Sequence, residues 1–216
     1  VYFAYHQTSG KGTRGKGWES KSGENITISM VIDVKFLAIP QQFYFSAAIA
    51  LALFDFFLKY AGKGTSIKWP NDIYFNDSKA AGILIENSIY GNQWQWAVVG
   101  IGININQLDF GNDVPNAISL AQITQQQYDV LQLAKELCNY VEKRYQELQS
   151  LRFEKILKDY NDNLYKKNMQ VKLKKDNVTF ECIIDGVASN GDLMVTNGLQ
   201  STFTFGEVIW EIPKIK

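Results

Sequence analysis

Residues 66–106 read SIKWPNDIYFNDSKAAGILIENSIYGNQWQWAVVGIGININ and carry the clearest structural signal in the chain. Short runs rich in β-branched and aromatic residues alternate there with turn-forming Asn, Asp and Gly, which predicts a series of strands. Because the links between these runs are too short for crossover helices, neighbouring strands are expected to pair antiparallel. The predicted strands are 66–69, 73–75, 81–86 and 94–106.

The residues before this stretch predict two more strands, 1–6 and 26–34, and a helix that begins at Pro40 and ends near residue 60. This helix is apolar nearly all round, so we expect it at the centre of the core. Its most apolar part, 43–58, is shorter than the roughly 20 residues that span a bilayer. No membrane association is therefore expected.

Two further helices are predicted, around 131–148 and at 153–160. The first has apolar residues that step by three and four along the chain, as one face of a helix does. Its predicted buried stripe is Leu131, Ala134, Cys138, Val141, Tyr145 and Leu148.

After the polar stretch 161–168 the pattern changes to short strands separated by Asn-Gly and Gly-Asp turns, which are strong hairpin signals. The chain is therefore predicted to divide into residues 1–166, an α+β domain with a mixed, largely antiparallel sheet packed with helices, and residues 167–216, a small C-terminal β-barrel.

Composition excludes several classes of protein. The 216 residues contain 22 basic and 22 acidic side chains, so an overall basic coat for nucleic acid is not expected. Two distant cysteines and one histidine make a His/Cys metal site nearly impossible, and they favour a reducing, cytoplasmic compartment. The chain begins at Val1 within a predicted strand, so we expect a further segment upstream.

The loop 10–17, GKGTRGKG, contains both G-x-G-x-x-G and G-x-x-x-x-G-K. Both patterns need a helix immediately afterwards, and the polar residues that follow predict none, so we reject dinucleotide-binding and P-loop interpretations. Backbone N–H groups together with Lys11, Arg14 and Lys16 could still hold an anion. Trp18 could stack on a flat ligand or pack in the core.

Two other places are candidates for ligand contact. Lys68 ends a strand before Trp69-Pro70 and is suited to a phosphoryl or carboxylate oxygen, unless it is a solvated edge lysine. The strand around residue 100 puts Gly100, Gly102 and Asn104 on one face, where bare backbone lets a ligand or a packed helix approach closely.

Together these segments resemble one family. Residues 7–18, QTSGKGTRGKGW, resemble the biotin-binding signature Q-x-x-G-[RK]-G-x-x-[GR]-x-x-W of biotin–protein ligases. Residues 68–72, KWPND, match a second motif of that family, and 79–86 and 100–106 resemble its K-x-A-G-I-L-x-E and GIGINVN strands. The resemblance implies a fold like that of class II aminoacyl-tRNA synthetases and biotin synthetases, in the form without an N-terminal DNA-binding domain.

The resemblance implies ATP-dependent activation of biotin as biotinyl-5′-AMP and its transfer to a lysine of a biotin carboxyl carrier domain. Mg²⁺ would be held largely through the ATP phosphates, with no metal site formed by the protein. No DNA partner is implied, and a homodimer is left open. A lipoate or octanoate ligase, or a non-catalytic binding module, are the alternatives.

The resemblance also implies roles for individual residues. It implies that Lys68 and Lys11 are catalytic. The residues implied to contact ATP or the adenylate are Arg14, Lys16, Trp18 and Asn104. The implied biotin contacts are Gln7, Gly10, Lys11, Gly12, Thr13, Lys68, Gly82, Gly100 and Gly102. Thr13 replaces a basic residue of many members, which would loosen retention of the adenylate, and the family's upstream Ser-Thr-Asn segment is absent from this sequence.

Overall fold

The first part of the chain forms one antiparallel sheet and a small hairpin. The computed structural model describes residues 1–15, 17–111 and 116–213, without the side chain of Arg14. The sheet has six strands in the order β1-β4-β8-β7-β6-β5, and β2 pairs with β3. The strands are β1 (Tyr2–Phe3), β2 (Gly10–Lys11), β3 (Gly17–Trp18), β4 (Asn25–Asp33), β5 (Thr65–Lys68), β6 (Asp72–Phe75), β7 (Ser78–Tyr90) and β8 (Gln93–Asn104). The largely antiparallel sheet predicted from residues 66–106 is thus confirmed.

The helix α1 (Gln42–Ala61) is the centre of the core, as predicted. It follows a 3₁₀ turn at Ile39–Gln41, where Pro40 supplies a φ angle suited to a helix start, and it ends at Gly62 with a φ of 72°. By length and composition Ile39–Ala61 could cross a membrane, yet most of it is buried within the protein. It packs against α3 (Val130–Gln149), and the short helix α2 (Leu120–Thr124) precedes α3.

The buried face of α3 is offset from the predicted stripe. Ala134, Val141 and Leu148 are buried as expected. Leu131, Cys138 and Tyr145 are only half-buried, and Val130, Leu133 and Leu137 are buried in their place. The helix carries enough apolar side chains for either stripe, so the shape of α1 and of the sheet selects the one that is buried.

Arg144 also lies on the buried face of α3, where it joins three helices. Its guanidinium donates to Asp55 on α1 (2.7 Å) and to Asp159 on α4 (Phe153–Asp162; 2.9 Å), and to Glu147 one turn along (2.8 Å). These hydrogen bonds replace the water that the buried charge has lost. They raise the pKa of the guanidinium against the opposing effect of burial.

The C-terminal part of the chain forms a second antiparallel sheet, in the order β12-β11-β10-β9-β13. Its outer strands β12 and β13 have two residues each, and no pairing between them, which would close the predicted barrel, is found in the described part of the chain. The predicted boundary after residue 166 remains a prediction. The strands are β9 (Gln170–Lys175), β10 (Val178–Val187), β11 (Leu193–Thr196), β12 (Thr202–Phe203) and β13 (Ile209–Trp210).

Side chains of the first part hold this sheet in place. The Asn161 amide on α4 donates to the backbone oxygen of Val187 (3.0 Å) and accepts from its N–H (2.7 Å). The indole N–H of Trp69, just after β5, donates to the backbone oxygen of Gly191 (2.9 Å). The second sheet is therefore attached close to the end of β5, where Lys68 lies.

Candidate functional site

One row of residues crosses the first sheet from its β5 edge to β4. The strand register pairs Lys68 with Asp72, Asp72 with Gly82, Gly82 with Gly102, and Gly102 with Thr27. Directly opposed residues of an antiparallel sheet point to the same face. The row therefore has a charged end and, at its middle, two positions without side chains.

A β-bulge adds a second cation to this face. Lys79 and Gly82 are three residues apart, so a regular strand would direct them to opposite faces. The register of β6 with β7 shifts between Ile73 and Tyr74, and Lys79 becomes the partner of Tyr74. Lys79 Nζ consequently lies 2.7 Å from Asp72 Oδ1, and a Cβ built at Gly82 would lie 3.3 Å from that ammonium nitrogen.

A cavity of about 160 Å³ opens over this face of the sheet. Asp72, Lys79 and Asn71 line it, although sequence reasoning assigned none of them a role. The sequence pointed to Asp72 and Lys79 only through the motifs that contain them, at 68–72 and 79–86. The predicted site residues that line the cavity are Gln7, Lys11, Gly12, Thr13, Trp18, Gly82, Gly100 and Gly102.

The indole of Trp18 lies on the glycine floor of the cavity. A Cβ built at Gly102 would come within 2.7 Å of three indole atoms, whereas one at Gly100 would be no closer than 3.7 Å to any neighbour. Lys79 Nζ lies 5.8 Å from the centre of the same indole. Trp18 Nε1 is buried and has no hydrogen-bond partner among the described residues. The floor predicted to receive a flat ligand thus carries a flat side chain of the protein itself.

The glycine-rich loop reaches the cavity as a hairpin. Gly10 pairs with Trp18 and Lys11 with Gly17, with a 3₁₀ turn at Thr13–Gly15 between them. A side chain at Gly10 would collide with the backbone oxygen of Trp18 and lie 2.8 Å from Gln7 Oε1. A strand, not a helix, follows the loop, in agreement with the rejection of both phosphate-binding patterns.

The structure does not bring every predicted residue to the cavity. Gly10, Lys68 and Asn104 are not among the described lining residues. Asn104 is buried, and its amide donates to the backbone oxygens of Ile118 (3.2 Å) and Lys79 (3.4 Å), which fastens the segment after residue 116 to the sheet. Lys16 and the side chain of Arg14 lie outside the described residues, so their predicted roles remain predictions.

Lys68 lies beside the cavity, at the end of the row. Its ammonium is 5.2 Å from the ring centre of Tyr74 on β6 and 5.4 Å from that of Trp210 on β13. Burial, reinforced by the negative charge of Asp72, raises the pKa of Tyr74, so Tyr74 presents a neutral ring to this cation.

No cluster of three or more His, Cys, Asp or Glu side chains suited to a metal ion occurs in residues 1–15, 17–111 and 116–213. Among the described residues that line the cavity, Asp72 is the one carboxylate, and it already pairs with Lys79. Binding of an anion by cations and backbone N–H groups is the chemistry that this side-chain set favours.

Comparison with known proteins shows which family the chain resembles. The model of the biotin/lipoate A/B protein ligase family matches residues 1–104. The bifunctional ligase/repressor BirA of Bacillus spizizenii is 33% identical over 146 residues, which cover 65% of this chain and 44% of that protein. The biotin–[acetyl-CoA-carboxylase] ligase of Mycobacterium tuberculosis is 31% identical over 147 residues, 67% of this chain and 53% of that enzyme. The chain thus spans about half the length of these relatives.

Solved structures show the same fold over almost the whole chain. The biotin protein ligase of Aquifex aeolicus, solved in complex with biotin and ATP, has a TM-score of 0.76 at 21% identity and covers 98% of this chain and 85% of that chain. The biotin protein ligase of Leishmania major, in complex with biotinyl-5-AMP, has a TM-score of 0.60 and covers 94% of this chain and 87% of that one. The likeness includes the C-terminal sheet as well as the first one. The first 104 residues thus match the biotin/lipoate A/B protein ligase family, and the chain as a whole is similar to biotin–protein ligases.

Proposed function

We propose that this chain is an ATP-dependent biotin–protein ligase. In the first step a biotin carboxylate oxygen attacks the α-phosphorus of ATP, a C–O–P linkage forms, and the bond to the β-phosphate breaks to release pyrophosphate. In the second step the neutral ε-amine of an acceptor lysine attacks the acyl carbon, an amide forms, and AMP and a proton leave. The expected acceptor is a biotin carboxyl carrier domain.

The observation that carries the proposal is the row from Lys68 to Thr27. Its middle, Gly82 and Gly102, is flat backbone suited to a fused bicyclic ring. Its end carries Lys68 and Asp72, with Lys79 beside them. A carboxylate on this ring would thus lie towards the cations, where its repulsion from a phosphate is reduced.

We assign biotin to the floor and to the loop residues Gln7, Lys11, Gly12 and Thr13, which line the same cavity. Trp18 is assigned to the adenylate. Because its indole now covers Gly102, binding of biotin requires that indole to leave the floor. Loops near a site commonly make such movements, and the hairpin that carries Trp18 has only two residues in each strand.

Catalysis would be electrostatic. Lys11 and Lys68 would hold the reacting carboxylate and phosphate together, and Lys79 would add a third positive charge held in place by Asp72. Mg²⁺ would enter with the ATP phosphates, which supply its preferred oxygen ligands. No protein-bound intermediate is required.

Pyrophosphate release tests the first step. Purified chain with biotin, ATP and Mg²⁺ is expected to release pyrophosphate only when biotin is present, and Lys68→Ala is expected to abolish the release. Lys166→Ala is the control, because Lys166, like Lys68, is a half-buried lysine, yet it is not among the residues that line the cavity. Biotin-independent release, or undiminished release by Lys68→Ala, would refute the proposal.

A lipoate or octanoate ligase is the second candidate, because the matching family model includes both kinds of ligase. The same assay with octanoate or lipoate in place of biotin separates the two. Preferential pyrophosphate release with either acid would favour the second candidate. Transfer of the product to a purified biotin carboxyl carrier domain would then identify the acceptor, while binding of biotin without ATP consumption would indicate a non-catalytic module.

A further inference from the structure

Lys68 is held between two aromatic rings that come from different sheets. Tyr74 belongs to β6 of the first sheet, and Trp210 belongs to β13 at the edge of the second. The distances from the ammonium nitrogen to the ring centres, 5.2 and 5.4 Å, are within the range of cation–π attraction. The cation assigned to the reaction therefore has a contact with the C-terminal sheet.

The two rings are part of a packed aromatic wall. The ring of Tyr165 lies 5.2 Å from that of Tyr74 and 5.6 Å from that of Trp210. The Tyr165 hydroxyl donates to Asp77 Oδ1 (2.6 Å), which fixes the middle of the wall. Because each ring is supported by its neighbour, the wall can hold a flexible lysine in one direction.

A tryptophan is unexpected at position 210, because the polar N–H of its indole is left without a partner among the described residues there. Its Nε1 is buried with no hydrogen-bond partner in the described part of the chain, and an unpaired buried N–H is unfavourable. A phenylalanine or leucine would fill the space without that cost. What the indole offers instead is the most favourable aromatic face for a cation.

We propose that Trp210 is a positioning residue for Lys68. With Tyr74 it directs the ammonium towards the cavity end of the row, so the second sheet contributes to adenylate formation without lining the cavity. The catalytic consequence rests on the proposed ligase function, whereas the contact between Trp210 and Lys68 can be tested without it.

Kinetics of Trp210 variants test the consequence. Trp210→Leu is expected to lower kcat for biotin-dependent pyrophosphate release roughly tenfold, with the KM for biotin changed less than threefold. Trp210→Phe keeps an aromatic face and is expected to stay within threefold of the wild-type kcat. Phe205→Leu is the matched control. The rings of Phe205 and Trp69 meet edge to face with their centres 6.2 Å apart, so Phe205 also joins the two parts of the chain through an aromatic pair.

A spectroscopic measurement tests the contact itself. The lysines are first labelled by reductive ¹³C-dimethylation, and the Lys68 methyl signal is identified by its loss in Lys68→Arg. This signal is expected upfield of the signals of exposed lysines, because the ring currents of the two aromatic side chains shield it. Trp210→Leu should move it downfield, and Phe205→Leu should leave it in place. This signal is read on the wild-type protein, so it stays informative even if Trp210→Leu folds poorly.

The outcomes separate the two proposals. An inactive wild-type chain with a shifted Lys68 signal would refute the ligase function and retain the contact. An active wild-type chain with an unshifted signal would overturn the positioning role. Equal kcat for Trp210→Leu and wild type would overturn it as well, as would equal losses in Trp210→Leu and Trp210→Phe.

Discussion

Replacing Gly102 by alanine adds one methyl group to the floor of the cavity, beneath the indole of Trp18. That methyl carbon would lie 2.7 Å from Trp18 Nε1 and closer still to Cε2 and Cζ2, and ordinary contact begins near 3.4 Å, so the indole must withdraw by about 1 Å or more. Gly102 lies in the middle of the sheet between β4 and β7, whereas Trp18 lies on a short hairpin. The hairpin is therefore the part that moves.

The cost to stability should be modest and the cost to binding larger. Displacing the indole is expected to lower the free energy of unfolding by about 1 kcal/mol, at the low end for overpacking. A methyl group in a slot fitted to a ring is expected to weaken biotin binding by about 1–3 kcal/mol, roughly tenfold to a hundredfold. Urea denaturation measures the first quantity and titration calorimetry with biotin the second.

Gly100→Ala is the matched control for stability. It lies on the same strand and the same face, and its methyl group would meet atoms only at 3.7 and 3.8 Å, so the free energy of unfolding should change by less than about 0.5 kcal/mol. Wild-type biotin affinity in Gly102→Ala, together with unchanged stability, would refute both the placement of Trp18 on Gly102 and the assignment of this floor to biotin.

Three more predictions follow from charged side chains. Lys79→Met should slow biotin-dependent pyrophosphate release about tenfold, because it removes a cation beside the reacting anions; equal rates for it and for Lys166→Met would count against this role. Arg144→Met should lower the free energy of unfolding in urea by about 3 kcal/mol, since it removes the partner of Asp55 and leaves Glu147 and Asp159 with Lys155 alone; a loss under about 1 kcal/mol would contradict this. The hydrogen bond from Lys175 lowers the pKa of Glu207 to about 2, so the stability that Glu207 supplies is present above its ordinary pKa near 4.5 and is lost as the pH falls towards 2. Glu207→Gln should flatten the dependence of thermal stability on pH in that window, and an unchanged slope would show that the pair is not formed.

The sequence predicted the glycine face well because that signal is local. Alternation along β8 puts Gly100 and Gly102 on one face, and the pairing of Gly82 with Gly102 confirms that a neighbouring strand continues it. The long apolar helix α1 was equally recognisable, because a helix that is apolar all round has no stable place except the interior.

What the sequence did not predict depends on contacts between distant residues. Lys79 reaches the cavity face only because a bulge against β6 changes the register, and a single strand carries no sign of that shift. Trp18 lies on Gly102 through a hairpin whose direction is set by tertiary packing. Arg144 is buried on α3 because carboxylates from two other helices meet it there, which contradicts the usual exposure of arginine.

Oxygen transfer tests the central claim most directly, namely that a carboxylate attacks the α-phosphate of ATP on this sheet face. The chain is incubated with biotin labelled with ¹⁸O at both carboxylate oxygens, ATP, Mg²⁺ and a biotin carboxyl carrier domain, and the nucleotide product is analysed by mass spectrometry. We predict AMP that carries one ¹⁸O atom, with the other ¹⁸O retained in the new amide. Unlabelled AMP, or ADP and phosphate in place of AMP, would contradict the account.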